Sequence, residues 1–186
     1  MTKPDLPTAD VTRLLDAARD GDEQAWERLL DLVYPELKRL ARSARFGRGD
    51  GTLDTTALVH ECYLKLAQAE GAPRDRGHLL SLAVRIMRQL LVDHARERTA
   101  QKRGGGAIAV TLDEQRIPDE SPFLQLLEID QALQRLADVE PRQARVFECR
   151  YFGGLNDEET ALALGISPRT VHRDWDAGRA WLAAKL

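Results

Sequence analysis

Arg169, Thr170, His172, Arg173 and Asp176 fall on one side of the stretch "SPRTVHRDWD", while Val171 and Trp175 recur on the other side at helical spacing. Arginines on such a polar face bind guanine edges bidentately or neutralise phosphates, so the stretch has the makings of a helix that enters a DNA major groove. Two further groups stand out. In "TALVHECYLKLAQA" the polar residues His60, Glu61, Lys65 and Gln68 lie opposite an apolar face of Leu58, Val59, Cys62, Tyr63 and Leu66. Between Arg74 and Arg103, eight basic residues stand against Asp75, Asp93 and Glu97, a local surplus of the kind that binds phosphates.

Other chemistry is poorly supplied. His60-Glu61 has no histidine four residues after His60, so the zinc-protease helix motif fails. His78 and His94 are too far apart to share a turn, and Ser81, Ser121 and Ser167 have no partnered base in pattern. The run Gly104-Gly105-Gly106 is not followed by Lys and Ser or Thr, which excludes a phosphate-binding loop. Cys62 and Cys149 each lie in a helical pattern and read as small buried hydrophobes. No catalytic residue, metal or cofactor is expected.

The elements that position these residues are helical. The first line of the hairpin runs from about Asp157 to Leu164, with Asn156 or Asp157 as cap and Glu158 and Glu159 at the positive end of the helix dipole. Gly165 ends it in a left-handed conformation, Ile166 anchors the turn, and Ser167 caps the second helix with Pro168 at its first position. Upstream, helical spacing is kept over Val11–Asp20, over Glu23–Arg45 with Pro35 as a potential kink, and from His78 to Gln101. Only "AIAVTL" (107–112) looks strand-like. "QKRGGGAIAVTLDEQRIPDESP" reads as a linker, because consecutive glycines and two prolines among acids favour neither helix nor core.

The chain thus reads as all-α, with two small helical domains over 1–102 and 123–186 joined by a flexible linker over 103–122. The second is a four-helix unit ending in a helix-turn-helix. With 186 residues, 43% hydrophobic content and no apolar run long enough to span a bilayer, a globular chain without a membrane segment is expected. The N-terminus lacks the apolar stretch of a secretory signal, so the expected location is cytoplasmic. The net charge of −3 hides an uneven distribution: Lys38 to Arg48 carries five basic residues and no acid, while acids gather between Asp113 and Glu159.

These motifs, in this order, resemble the sigma factors of bacterial RNA polymerase. "DVEPRQARVFECRYFGGLNDEETALALGISPRTVHRDWDAGRAWL" is similar to their promoter-binding domain, and "TTALVHECYLKLA" with "LVDHARERTAQKRGGG" to their core-binding and promoter-melting domain. Two such domains with none between them is the arrangement of the extracytoplasmic-function (ECF) group. The resemblance implies promoter-specific transcription initiation with core RNA polymerase as partner, through the coiled coil of its largest subunit and the flap of the second subunit. It implies that His60, Glu61, Lys65 and Gln68 face that coiled coil. Arg85, Arg88, Gln89, Arg96, Arg98, Lys102 and Arg103 would meet the −10 element, with the loop 70–77 holding an extruded base. Arg169, Thr170, His172, Arg173 and Asp176 would meet the −35 element, and the acidic linker would thread toward the active-site channel. An anti-sigma protein is a candidate further partner.

One departure from that family bears on melting. No residue from Arg74 to Arg103 is aromatic, whereas relatives in this subgroup often carry aromatics near the positions of Leu79 and Leu80, so apolar wedging or capture of one base in a pocket is expected in place of stacking on this helix. The alternative to a sigma factor is a stand-alone helix-turn-helix regulator of an operator, which binds duplex DNA by itself, usually as a dimer on two half-sites.

Overall fold

The computed structural model describes residues 8–45, 54–68, 73–104 and 121–186. Among them are eight α-helices, one π-helical turn and no strand. The order is α1 (Thr8–Arg19), α2 (Glu23–Arg45), α3 (Thr55–Gln68), α4 (Arg76–Gly104), α5 (Ser121–Val139), α6 (Pro141–Phe147), the π-helical turn (Glu148–Phe152), α7 (Asp157–Leu164) and α8 (Pro168–Ala183). The strand-like 107–112 and most of the expected linker lie outside the described residues. No helix is long and apolar enough to cross a membrane among the described residues.

Short polar side chains start these helices by accepting bonds from N–H groups that the first turn leaves unpaired. Asp22 accepts from the N–H groups of Gln24 and Ala25, Asp54 from Thr56 at 3.0 Å, and Asp75 from His78 at 2.8 Å. The last of these starts α4 two residues earlier than its apolar pattern suggests. At its other end α4 continues past Gln101 to Gly104, taking in the first of the three glycines. α2 runs unbroken through Pro35. Buried Val33 and Leu37 hold the helix to the core on either side, and Pro35 and Asp31, whose carbonyl loses its usual donor, are both on the exposed face. The helix expected from Pro141 through Tyr151 divides at Phe147, where the ladder widens into the π-helical turn.

The apolar faces converge on one core. Leu15, Leu29, Leu37, Leu40, Leu58, Leu79, Leu80, Met87 and Leu91 from the first half, and Leu136 and Phe152 from the second, are each at most 2% exposed. They belong to a single contiguous cluster. α4 is the shared element: it packs against α2 and α3 on one side and against α5, α7 and the π-helical turn on the other. The two halves therefore sit on each other, with α4 between them.

Two glycines carry geometric necessity. A Cβ on Gly77, in the first turn of α4, would lie 2.9 Å from the Leu162 carbonyl carbon and 3.1 Å from the Ala163 Cα, so α4 and α7 meet backbone to backbone. Gly165 has φ 66°, which only glycine adopts without strain.

Candidate nucleic-acid interface

The hairpin at the end of the chain is built from reciprocal caps. Asn156 Oδ1 accepts from the Glu159 N–H at 2.8 Å, and Glu159 Oε2 accepts from the Asn156 N–H at 3.0 Å, a capping box that fixes the start of α7. At the far end the Ile166 N–H donates back to the Ala161 carbonyl at 3.0 Å, closing the turn around left-handed Gly165. Ser167 Oγ accepts from the Thr170 N–H at 3.2 Å and starts α8 ahead of Pro168. Val146, Ala161 and Val171 form a small core beneath the hairpin, with Leu164, Ile166 and Trp175 against it.

Trp175 is half-buried. Its ring stacks on Phe147 with centroids 5.4 Å apart, and the Arg150 guanidinium lies 4.6 Å over it. Asp174 is the inward-facing acid of α8, 2% exposed, and Arg142 at the start of α6 reaches it at 2.5 Å and 3.4 Å. Sequence periodicity places Asp174 beside the apolar stripe but does not reveal this partner.

The outer face of α8 is open. Arg169, His172, Arg173 and Asp176 are exposed, and Thr170 is half-buried with its hydroxyl 2.9 Å from Ser167 Oγ. The His172 ring lies between Asp157 at 3.7 Å and Asp176 at 3.5 Å. The Arg173 guanidinium donates to Asp174 Oδ1 at 3.2 Å and 3.3 Å while staying 68% exposed, so it is oriented without being covered. On α3, His60, Glu61, Lys65 and Gln68 are all exposed, over buried Leu58, Val59, Cys62 and Leu66.

The candidates on α4 divide. Arg85 and Gln89 are exposed, and Arg98 is half-buried. Arg96 is 54% exposed beside Asp93 and Asp130, each at 3.5 Å. Arg88 is different: it is 15% exposed, 2.7 Å from Asp130 on α5 and 2.6 Å from Glu148 on the π-helical turn. Arg88 Nε and Glu148 Oε1 meet as charges without hydrogen-bond alignment. Burial pushes the Glu148 carboxyl above its ordinary range, against the pull of Arg88, Arg85 and Arg145. The side chains of Lys102 and Arg103, and all but Pro73 to Gly77 of the loop before α4, lie outside the described residues. Leu79, expected on the core side of the helix, and Leu80 are 1% and 2% exposed and belong to the core, so neither is placed to wedge into a base step in this arrangement.

Among the described residues no cluster of His, Cys, Asp or Glu could hold a metal. A family model described as ECF sigma factor matches residues 8–186, essentially the whole described chain. The chain belongs to the ECF sigma factors. As a member it acts in transcription initiation, with RNA polymerase and promoter DNA as its setting. Among solved structures, this sigma factor is similar to CnrH in complex with the cytosolic domain of CnrY, at 19% identity over 94% of this chain and 96% of that chain, with a TM-score of 0.42. No curated protein matches it significantly.

Proposed function

We propose that this ECF sigma factor reads a −35 element with the outer face of α8, meets the −10 region with α4, and docks onto core polymerase through the outer face of α3. The observation that carries the reading is the capped hairpin of α7 and α8. Its inner face is committed to the core through Val171 and Asp174, which leaves Arg169, His172 and Arg173 as an exposed row. A rigid helix with arginines on its free side suits base edges and phosphates of the major groove. Four exposed polar residues on α3, over buried Leu58, Val59, Cys62 and Leu66, suit a protein partner, and the coiled coil of the largest polymerase subunit is that partner on this reading. The cations of α4 suit the phosphates of a melted strand. With Leu79 and Leu80 in the core and no aromatic residue in this helix, capture of one base in the loop 70–77 is the device that fits best.

The test mixes purified chain with sigma-free bacterial core polymerase, measures co-elution, and runs transcription on a library of random promoter DNA. Co-elution with selected transcripts supports the reading, and the enriched sequences supply the −35 and −10 elements. Tight binding of the chain alone to a palindromic duplex, without co-elution, replaces it with an operator regulator.

A further inference from the structure

We propose that the cavity between α4 and the C-terminal helices is a binding site for a small organic phosphate, with a mono- or diphosphate head on an apolar body. The cavity holds about 440 Å³, within the range of small-molecule sites. α4 lines it with one stripe, His78, Ser81, Leu82, Arg85 and Arg88, at successive helical turns. α5, α6 and the π-helical turn form the facing wall, which carries Arg145 and Glu148.

The three arginines play different parts. Arg88 is already engaged: Asp130 at 2.7 Å and Glu148 at 2.6 Å hold it as part of the wall. Arg85 and Arg145 are exposed, and neither has a carboxylate within ion-pair distance among the described residues. Both pull on the Glu148 carboxyl through space, so two unpaired guanidinium groups border one cavity from opposite walls. A guanidinium fork matches two phosphate oxygens, and a pair of them suits a phosphate or diphosphate.

Neutral groups complete the lining. His78 Nδ1 accepts from the Arg74 N–H at 3.1 Å, which places the proton of a neutral ring on Nε2 as a further donor. Gln134 donates to Asp130 at 2.7 Å and keeps its side-chain carbonyl as an acceptor. Leu82, Leu133, Ala144 and Leu164 supply apolar surface beside the charges. A promoter strand offers the same phosphates, but a bounded volume with apolar lining favours a free molecule. If α4 serves the −10 region as proposed above, a bound phosphate also withdraws Arg85 from the strand, and strand binding becomes responsive to the ligand.

The experiment titrates the full chain by calorimetry with ADP, inorganic pyrophosphate and adenosine. The parent chain is compared with Arg145→Ala, with Ala137→Trp, which fills the cavity from an exposed position, and with Arg135→Ala, an exposed arginine of α5 outside it. Circular dichroism and thermal unfolding check the fold of each. The expected result is one ADP per chain with a Kd below about 1 mM, weaker pyrophosphate and no adenosine binding. Arg145→Ala weakens ADP about tenfold or more, Ala137→Trp removes it, and Arg135→Ala leaves it unchanged. Absence of ADP binding, binding that survives either cavity variant, or an equal loss in Arg135→Ala overturns the site. Pyrophosphate or adenosine binding as tight as ADP overturns the ligand class. A mixed-sequence DNA strand of about 20 nucleotides separates the two sources of phosphate. Strand binding that depends on Arg145 without any ADP binding assigns the arginines to DNA and overturns the site, while the −10 reading stands. Displacement of the strand by ADP in the parent but not in Arg145→Ala supports the coupling, and ADP binding without displacement overturns the coupling alone.

Discussion

Arg142, in the first turn of α6, donates to the carboxylate of Asp174 on α8 at 2.5 Å, and Arg173 donates to the same carboxylate from the solvent side. One buried acid thus ties the reading helix to the scaffold and aims the arginine next to it. The hydrogen bond from Arg142 is the main cause that holds the Asp174 carboxyl below its ordinary value of 3.8, ahead of the bond from Arg173 and against the opposing effect of burial. A carboxyl lowered in the folded state adds stability above its unfolded value and loses it as pH falls through the folded one. Docking of α8 is therefore expected to weaken only below about pH 3.8. Asp174→Asn should lower the melting temperature at neutral pH and flatten its fall between pH 4 and pH 2 (about two units around that value). An unchanged acid limb in the variant would remove Asp174 as its source.

Arg173→Ala separates aim from contact. If Arg173 reads a base, promoter use falls by about 1–3 kcal/mol and the preference at one −35 position relaxes. Random-promoter selection with the variant reads this directly. A uniform loss with the same −35 preference would reassign Arg173 to phosphate contact.

Glu61→Lys tests the α3 face. Glu61 is exposed, so stability should move by no more than about 0.5 kcal/mol. Co-elution with core polymerase should drop markedly, and undiminished co-elution would move the docking face elsewhere.

Gly165→Ala tests the turn between α7 and α8. A Cβ there meets nothing within 4 Å, so the cost is backbone strain alone at φ 66°. About 1–2 kcal/mol of stability should be lost, and Gly165→Asn should lose less, because asparagine tolerates the left-handed region better. Denaturant midpoints of the two variants check the order.

Arg76 and Glu36 form an ion pair at 2.7 Å, with side chains 12% and 7% exposed, between the start of α4 and the middle of α2. Arg76→Ala leaves a buried carboxylate without its counter-charge and should cost about 3 kcal/mol. Replacing both residues by leucine should return most of that loss in thermal unfolding, since a packed apolar pair substitutes for a buried ionic one.

Much of the hairpin was legible in the residues themselves. Asn156, Gly165, Ser167 and Pro168 act within one turn of their own positions, so their chemistry is local and their order alone specifies α7, the turn and α8. The exposed row on α8 and the polar face of α3 follow from helical period, which needs no knowledge of the partner surface. The tertiary structure alone decided what covers α4. Arg88 and Asp130 are 42 residues apart, and no local pattern couples charges across that distance. The π-helical turn that brings Glu148 to Arg88 lies against α4, a neighbour that no local pattern in its residues names. Helical period places Leu79 on the core side of α4, but Leu80, Val84 and Leu91 are buried as well, since a helix packed on both sides buries more than one apolar stripe. Local turns and periods are properties of neighbours in the chain. Burial and charge pairing are properties of neighbours in space, and α4 has most of its neighbours there.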